Sequence, residues 1–210
     1  EIVEQVRGPD HPDVATVLSN VAGLYVATGQ YGKAETFAAR SVAIQETQLG
    51  PEHPRIATAL NNLGSILHRG GHYARAVVYL ERSLAIREKA LGPNHRVVAE
   101  SLNNLAALND DVGLYDKAEQ LYRRSLRIYR ETVGLDHPDT ATVLNNLARV
   151  LQFTGRHKAA ADLFERNLRA EEAQFGPEDP RLVTALNNLA ELLRVTGETA
   201  RAESLLKRAL

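Results

Sequence analysis

Cysteine, methionine and tryptophan are all absent from the 210 residues. Without cysteine there is no disulfide framework and no thiolate to act as nucleophile or metal ligand; a cytoplasmic location is the expectation. No apolar run reaches the ~20 residues that span a bilayer, and no leader-like segment opens the chain, so no membrane partner is expected. An excess of one charge is lacking too: 25 Lys and Arg against 26 Asp and Glu leave a net charge of −1. Nucleic acids demand a basic footprint, and aromatics at 5% offer little to stack on bases, so nucleic acid is set aside as well. A phosphate-cradling glycine loop, a nucleophile elbow and a zinc signature are also missing. The chain therefore reads as no enzyme, without cofactor or metal. His11, His53, His95 and His137 come one per repeat, too far apart to share an ion, and are expected to pack or hydrogen-bond in turns. The lack of methionine even at position 1 reads as a fragment or a processed chain.

What the chain does have is a period. LNNLA stands at Leu102–Ala106, Leu144–Ala148 and Leu186–Ala190, with LNNLG at Leu60–Gly64 and LSNVA at Leu18–Ala22. Asn20, Asn62, Asn104, Asn146 and Asn188 are each 42 residues apart, as are the glycines from Gly8 to Gly176 and from Gly29 to Gly197. A fixed period of this size marks stacked repeats that bury apolar faces against one another.

Within the fourth repeat, GLDHPD is a turn whose proline can begin a helix. An apolar face at Leu144, Leu147, Ala148 and Leu151 predicts a helix from about Pro138 to Thr154. Gly155 ends it. A second helix runs from about Lys158 to Phe175, with Asn167 as the polar exception in its apolar stripe. Nothing reads as a strand. The predicted class is all-α, a right-handed superhelical solenoid of antiparallel helix hairpins over residues 1–210. Residues 1–7 read as the tail of a preceding repeat, 8–49, 50–91, 92–133 and 134–175 as full repeats, and 176–210 as a truncated one.

These residues resemble a tetratricopeptide repeat. Ala22, Gly64, Ala106, Ala148 and Ala190 match the family's small residue in the first helix; Ala34, Ala76, Ala118, Ala160 and Ala202 match the one in the second. The usual period is 34 residues; the 42-residue period, the GPxHP turn and the LNNLA core are similar to the kinesin-light-chain type. The resemblance implies first helices lining an inner surface, and asparagines that hold the backbone of a bound peptide.

Asparagine inside a helix costs roughly 0.6 kcal/mol against alanine, so the nine in the paired positions call for a reason. With 100° per residue, Asn146 points about 150° from the apolar direction and Asn145 about 110° to the other side. The second of each pair (Asn20, Asn62, Asn104, Asn146, Asn188) is expected to face the groove, where carboxamides can bind the main chain of an extended peptide. The first (Asn61, Asn103, Asn145, Asn187) is expected to lean toward a neighbouring first helix, bridging repeats and adding to the groove. Specificity would sit at the variable groove positions, including Arg69, Glu100, Asp111, Arg149 and Glu191. Their patchy charge points to a peptide or protein segment of mixed charge. The third repeat departs from the pattern, with Asn109 at a core position and Arg96 for proline. A protein–protein interaction scaffold is the leading reading. Alternatives are a ligand-sensing arm of a larger ATPase or effector protein and a weak head-to-tail self-assembly.

Overall fold

The computed structural model describes residues 2–210. Its helices are α1 (Ile2–Arg7), α2 (Pro12–Ala27), α3 (Tyr31–Leu49), α4 (Ile56–Arg69), α5 (Tyr73–Leu91), α6 (Arg96–Asp111), α7 (Tyr115–Thr132), α8 (Pro138–Phe153), α9 (His157–Phe175), α10 (Val183–Val195) and α11 (Thr199–Arg208). A 3₁₀ turn, Pro180–Leu182, leads into α10. Among the described residues there is no strand. The helices expected in the fourth repeat, from about Pro138 and about Lys158, form within one residue of those bounds.

The repeated histidines start the first helices. The Nδ1 of His11 accepts from the Asp13 N–H at 3.1 Å, His53 from Arg55 at 3.2 Å, His95 from Val97 at 3.2 Å and His137 from Asp139 at 3.1 Å. Each imidazole thereby satisfies one of the N–H groups a helix start leaves without a partner. In the fifth repeat Asp179 takes over, accepting from the Arg181 N–H at 2.9 Å. Glycines at positive φ follow the helices of both kinds, such as Gly50 after α3 at φ 86° and Gly71 after α4 at φ 80°, where a Cβ would be strained.

The chain forms two compact units, one up to Leu108 and the other from Asn109. In the first, α2 packs on α3, α3 on α4 and α4 on α5; in the second, α7 packs on α8, α8 on α9, α9 on α10 and α10 on α11. The interior of the first unit holds Leu60, Leu63, Leu67 and Leu80, essentially out of solvent, each stabilising by about 1.5–3 kcal/mol. Small residues allow the hairpin helices to close up. A Cβ on Gly64 would lie 2.7 Å from the Leu80 Cγ. Buried serines tie the pairs: Ser41 Oγ donates to the Ala15 carbonyl at 2.8 Å and Ser83 Oγ to the Ala57 carbonyl at 2.7 Å.

Arginine recurs on the second helices as a strap between repeats. Arg40 pairs with Glu4 at 2.7 Å, Arg82 with Glu46 at 2.5 Å and Arg208 with Glu172 at 2.5 Å. Each also donates to the carbonyl of a turn proline: Pro9, Pro51 or Pro177. Arg166 makes no such pair among the described residues, because Arg130 occupies the register where the others have glutamate.

The irregular third repeat keeps its helix. Asn109 is buried, and its carbonyl accepts from the Leu114 N–H at 2.8 Å. The two aspartates that follow part company: Asp111 is exposed, while Asp110 is buried and bonded to Arg149 at 2.5 Å. Beneath them lies Tyr122, fully buried, with no hydrogen-bond partner for its hydroxyl.

Candidate functional site

The paired asparagines divide into bonded and unbonded members. Asn104 Nδ2 donates to Asn61 Oδ1 at 3.1 Å, and Asn188 Nδ2 donates to Asn145 Oδ1 at 2.7 Å. The second asparagine of one repeat thus holds the first asparagine of the repeat before it. Asn61 also donates to Glu100 Oε1 at 3.3 Å and is only 3% exposed. By the angular argument the first asparagine stands outside the core; Asn61 is nevertheless buried, because the neighbouring helix α6 covers it. Asn103 and Asn146 are half-buried, and Asn187 is exposed.

The first repeat breaks the chain of carboxamides. Ser19 stands where the others have asparagine, and its hydroxyl lies 2.8 Å from that of Ser41. The Ser41 proton is spent on the Ala15 carbonyl, so Ser19 donates and is satisfied within its own hairpin. Asn62 consequently has no carboxamide to hold. Asn20 and Asn62 are both exposed and make no hydrogen bond among the described residues.

Two clefts open beside them. One, of about 320 Å³, lies between α2, the end of α3 and α4, and is lined by Thr16, Asn20, Gln45, Gln48, Arg55, Thr58 and Asn62 among others. The other, of about 330 Å³, is lined by Gly23, Val26, Ala38, Ala59, Asn62, Ser65 and Arg69 among others. Asn62 borders both. Arg55 and Arg69 are exposed and pair with no acid among the described residues. The second unit has a cleft of about 270 Å³ in the register of the first, lined by Thr142, Asn145, Asn167, Glu171, Gln174, Phe175 and Thr184 among others.

The other charged positions singled out from the sequence are engaged within the chain. Arg149 pairs with Asp110. Glu191 is bridged by Arg194 at 2.7 Å, a hydrogen bond that holds its carboxyl below the usual range. Glu100 accepts from Asn61 and lies 3.7 Å from the buried guanidinium of Arg87. Burial, with the nearby Asp110 charge in second place, pushes the Tyr122 phenol upward.

Sequence reasoning missed the contribution of the second helices. Gln45, Gln48, Glu171 and Gln174 come from α3 and α9, and Arg55 from the turn before α4. They recur at one register, 126 residues apart, which was the available signal. The polar interruption at Asn167 was visible too, though its place in a cleft was not. The clefts are lined by amide and hydroxyl groups, a few charges and apolar walls. Such a lining suits extended polypeptide, with main-chain groups bound by amides and side chains received in small cavities.

The tetratricopeptide repeat profile matches residues 1–47, 13–89, 55–131, 98–170 and 139–210. Among solved structures, the chain is similar to nearly identical TPR-like repeats of the kinesin-light-chain type from Podosopora anserina. That likeness has 26% identity, 95% of this chain, 94% of that one and a TM-score of 0.82. A single-substitution variant of that protein gives a TM-score of 0.83 at the same identity and coverage. BtubC (BKLC) from P. vanneervenii shares the fold at 23% identity, with 94% of this chain, 79% of that one and a TM-score of 0.81. No functionally curated protein is a significant match in sequence.

Proposed function

Since the chain belongs to the tetratricopeptide repeat family, whose members bind peptide or protein partners and are generally not enzymes, we propose that it is an interaction scaffold for an extended peptide. The main chain of the partner is held by the second asparagines of the repeats, Asn20, Asn62, Asn104, Asn146 and Asn188. The observation that carries this reading is the state of Asn20 and Asn62. Both are exposed in a helix interior and border clefts, and neither serves the fold by a hydrogen bond. A residue that costs helix stability and bonds nothing internal is accounted for by an external ligand. Asn104 and Asn188 spend one N–H on the neighbouring repeat and keep an acceptor and a second donor for the partner.

Side-chain selectivity falls to the clefts. In the first unit the open cations are Arg55 and Arg69; in the second the acid in the cleft is Glu171. A partner of mixed charge matches that distribution. No helix among the described residues is long and apolar enough to cross a membrane.

The test is a random-peptide selection against the chain and against the variant Asn20→Ala/Asn62→Ala. Neither substitution removes an internal bond, and each gains about 0.6 kcal/mol of helix propensity, so the variant stays folded. Loss of the enriched peptides from a folded variant is the expected result. Equal enrichment would overturn the assignment of these asparagines.

A further inference from the structure

Comparing the two equivalent clefts position by position shows a difference in what each can accept. In the first unit, Ser41 donates to a carbonyl and Gln45 Nε2 donates back to its hydroxyl at 3.2 Å, so the polar lining is satisfied. In the second unit, Asn167 and Glu171 stand at those two positions. Asn167 is 2% exposed; its Nδ2 donates to Glu171 Oε1 at 3.0 Å, and its Oδ1 is buried with no hydrogen-bond partner. Nature leaves few buried acceptors unpaired, and one that lines a cavity invites a donor.

The carboxylate beside it also pairs with no cation among the described residues. Two arginines that follow it in the chain, Arg181 and Arg208, are committed elsewhere. Arg181 grips Asp179 at 2.8 Å and lies 3.7 Å from the centre of the Phe175 ring, and Arg208 is paired with Glu172. The same cleft therefore presents two oxygen acceptors, one of them charged, over apolar walls that include Phe175 and Ala185.

We propose that this cleft is a lysine pocket. The ammonium of a partner's lysine sits between Glu171 and Asn167 Oδ1, and its methylene stem lies along Phe175. An ammonium offers three donors and no acceptor, which matches a carboxylate beside an unpartnered amide oxygen. The inference rests on the extended-peptide reading and adds a side chain to it. Burial pushes the Glu171 carboxyl upward, partly offset by the Asn167 hydrogen bond, and an ammonium beside it favours its charged form. The first cleft, with Gln45 for Glu171 and the unpaired Arg55 on its wall, is set against a cation and serves as an internal control.

The experiment is a titration of the full chain with N-acetyl-lysine methylamide, followed by ¹H–¹⁵N NMR. N-acetyl-norleucine methylamide, which replaces the ammonium by methyl, is the control. The lysine probe is expected to move the Asn167 side-chain amide and the backbone of Asn145 and Glu171, leaving Gln45 and Thr58 still. E171Q, which copies Gln45, should weaken it by about tenfold or more, and N167S, which copies Ser41, should weaken it with the fold intact. Equal shifts with norleucine, or shifts unchanged in both variants, would overturn the lysine pocket. Should selection yield no peptides, this probe still reports on the cleft. If peptides are selected while the cleft stays silent, only this inference falls.

Discussion

The substitution Gly64→Ala looks like an improvement. Four of the five repeats carry alanine at this position, and alanine in a helix interior is favoured over glycine by about 1 kcal/mol. Local geometry opposes it. A Cβ at Gly64 would come within 2.7 Å of Leu80 Cγ, 2.8 Å of Leu80 Cδ2 and 3.3 Å of the Ala76 carbonyl. Leu80 is fully buried, and Cγ is its branch point rather than a flexible tip, so it can yield only by changing rotamer within a filled core. Overpacking of this kind costs about 1–3 kcal/mol. The net expectation is a loss of about 1 kcal/mol, or roughly 2–4 °C in Tm for a chain of this size. The decisive comparison uses Leu80→Ala as a second background. That change alone costs about 2–5 kcal/mol but vacates the contact, so adding Gly64→Ala there should stabilise by up to about 1 kcal/mol. Urea unfolding of the four proteins measures both steps. If Gly64→Ala stabilises the wild-type chain, or has the same sign in both backgrounds, the reasoning from the Leu80 contact is wrong.

Three further expectations follow from single residues. Tyr122→Phe removes a buried hydroxyl that bonds nothing, so thermal unfolding should show no loss and a gain of up to about 1 kcal/mol; a clear loss would mean the hydroxyl has a partner. Arg130→Glu supplies the glutamate missing from the register of Arg166, and urea unfolding should show a gain of up to about 1 kcal/mol that disappears when Arg166 is also replaced by alanine. The Asp179 carboxyl is held at about 2 by the side-chain and then the backbone hydrogen bond from Arg181. Because its folded value is depressed, its contribution is complete above about 3.8 and is lost as pH falls toward 2, and carbon-detected NMR titration with and without Arg181→Ala checks the shift.

How much of this was legible in the sequence depended on whether the cause was local. The period, the hairpins and the glycine stops are written in spacing and in backbone preference, and the helix bounds came within a residue. The histidines could be placed in turns, and their capping role is a short-range bond to the N–H two residues on. The fate of the asparagines was harder. A helical wheel describes one helix and has no information about what lies against it, so it set Asn61 outside the core that α6 in fact completes. Arg149 illustrates the same limit. It stands on an exposed face by angle, yet its guanidinium turns to the chain's own Asp110, a choice made by a neighbour 39 residues away. The cleft-lining residues of α3 and α9 stand on the second helix of each hairpin, outside the face that the paired asparagines mark on the first.

The serine at position 19 offers a direct test of why Asn62 is open. Where two successive repeats carry the full pair, as at Asn61 with Asn104 and Asn145 with Asn188, the later asparagine is captured. Asn62 escapes because Ser19 is too short and turns to Ser41. Ser19→Asn should therefore capture Asn62 and withdraw one donor from the two clefts it borders. One hydrogen bond to a ligand contributes about 0.5–1.5 kcal/mol, so a selected peptide should bind up to about tenfold more weakly. Fluorescence anisotropy measures the affinity, and the Asn62 side-chain amide resonances report the capture. Capture with unchanged affinity would remove Asn62 from the binding surface. Weakened binding matching that of Asn62→Ala would mean that one serine, by failing to bridge two repeats, leaves an asparagine free to bind.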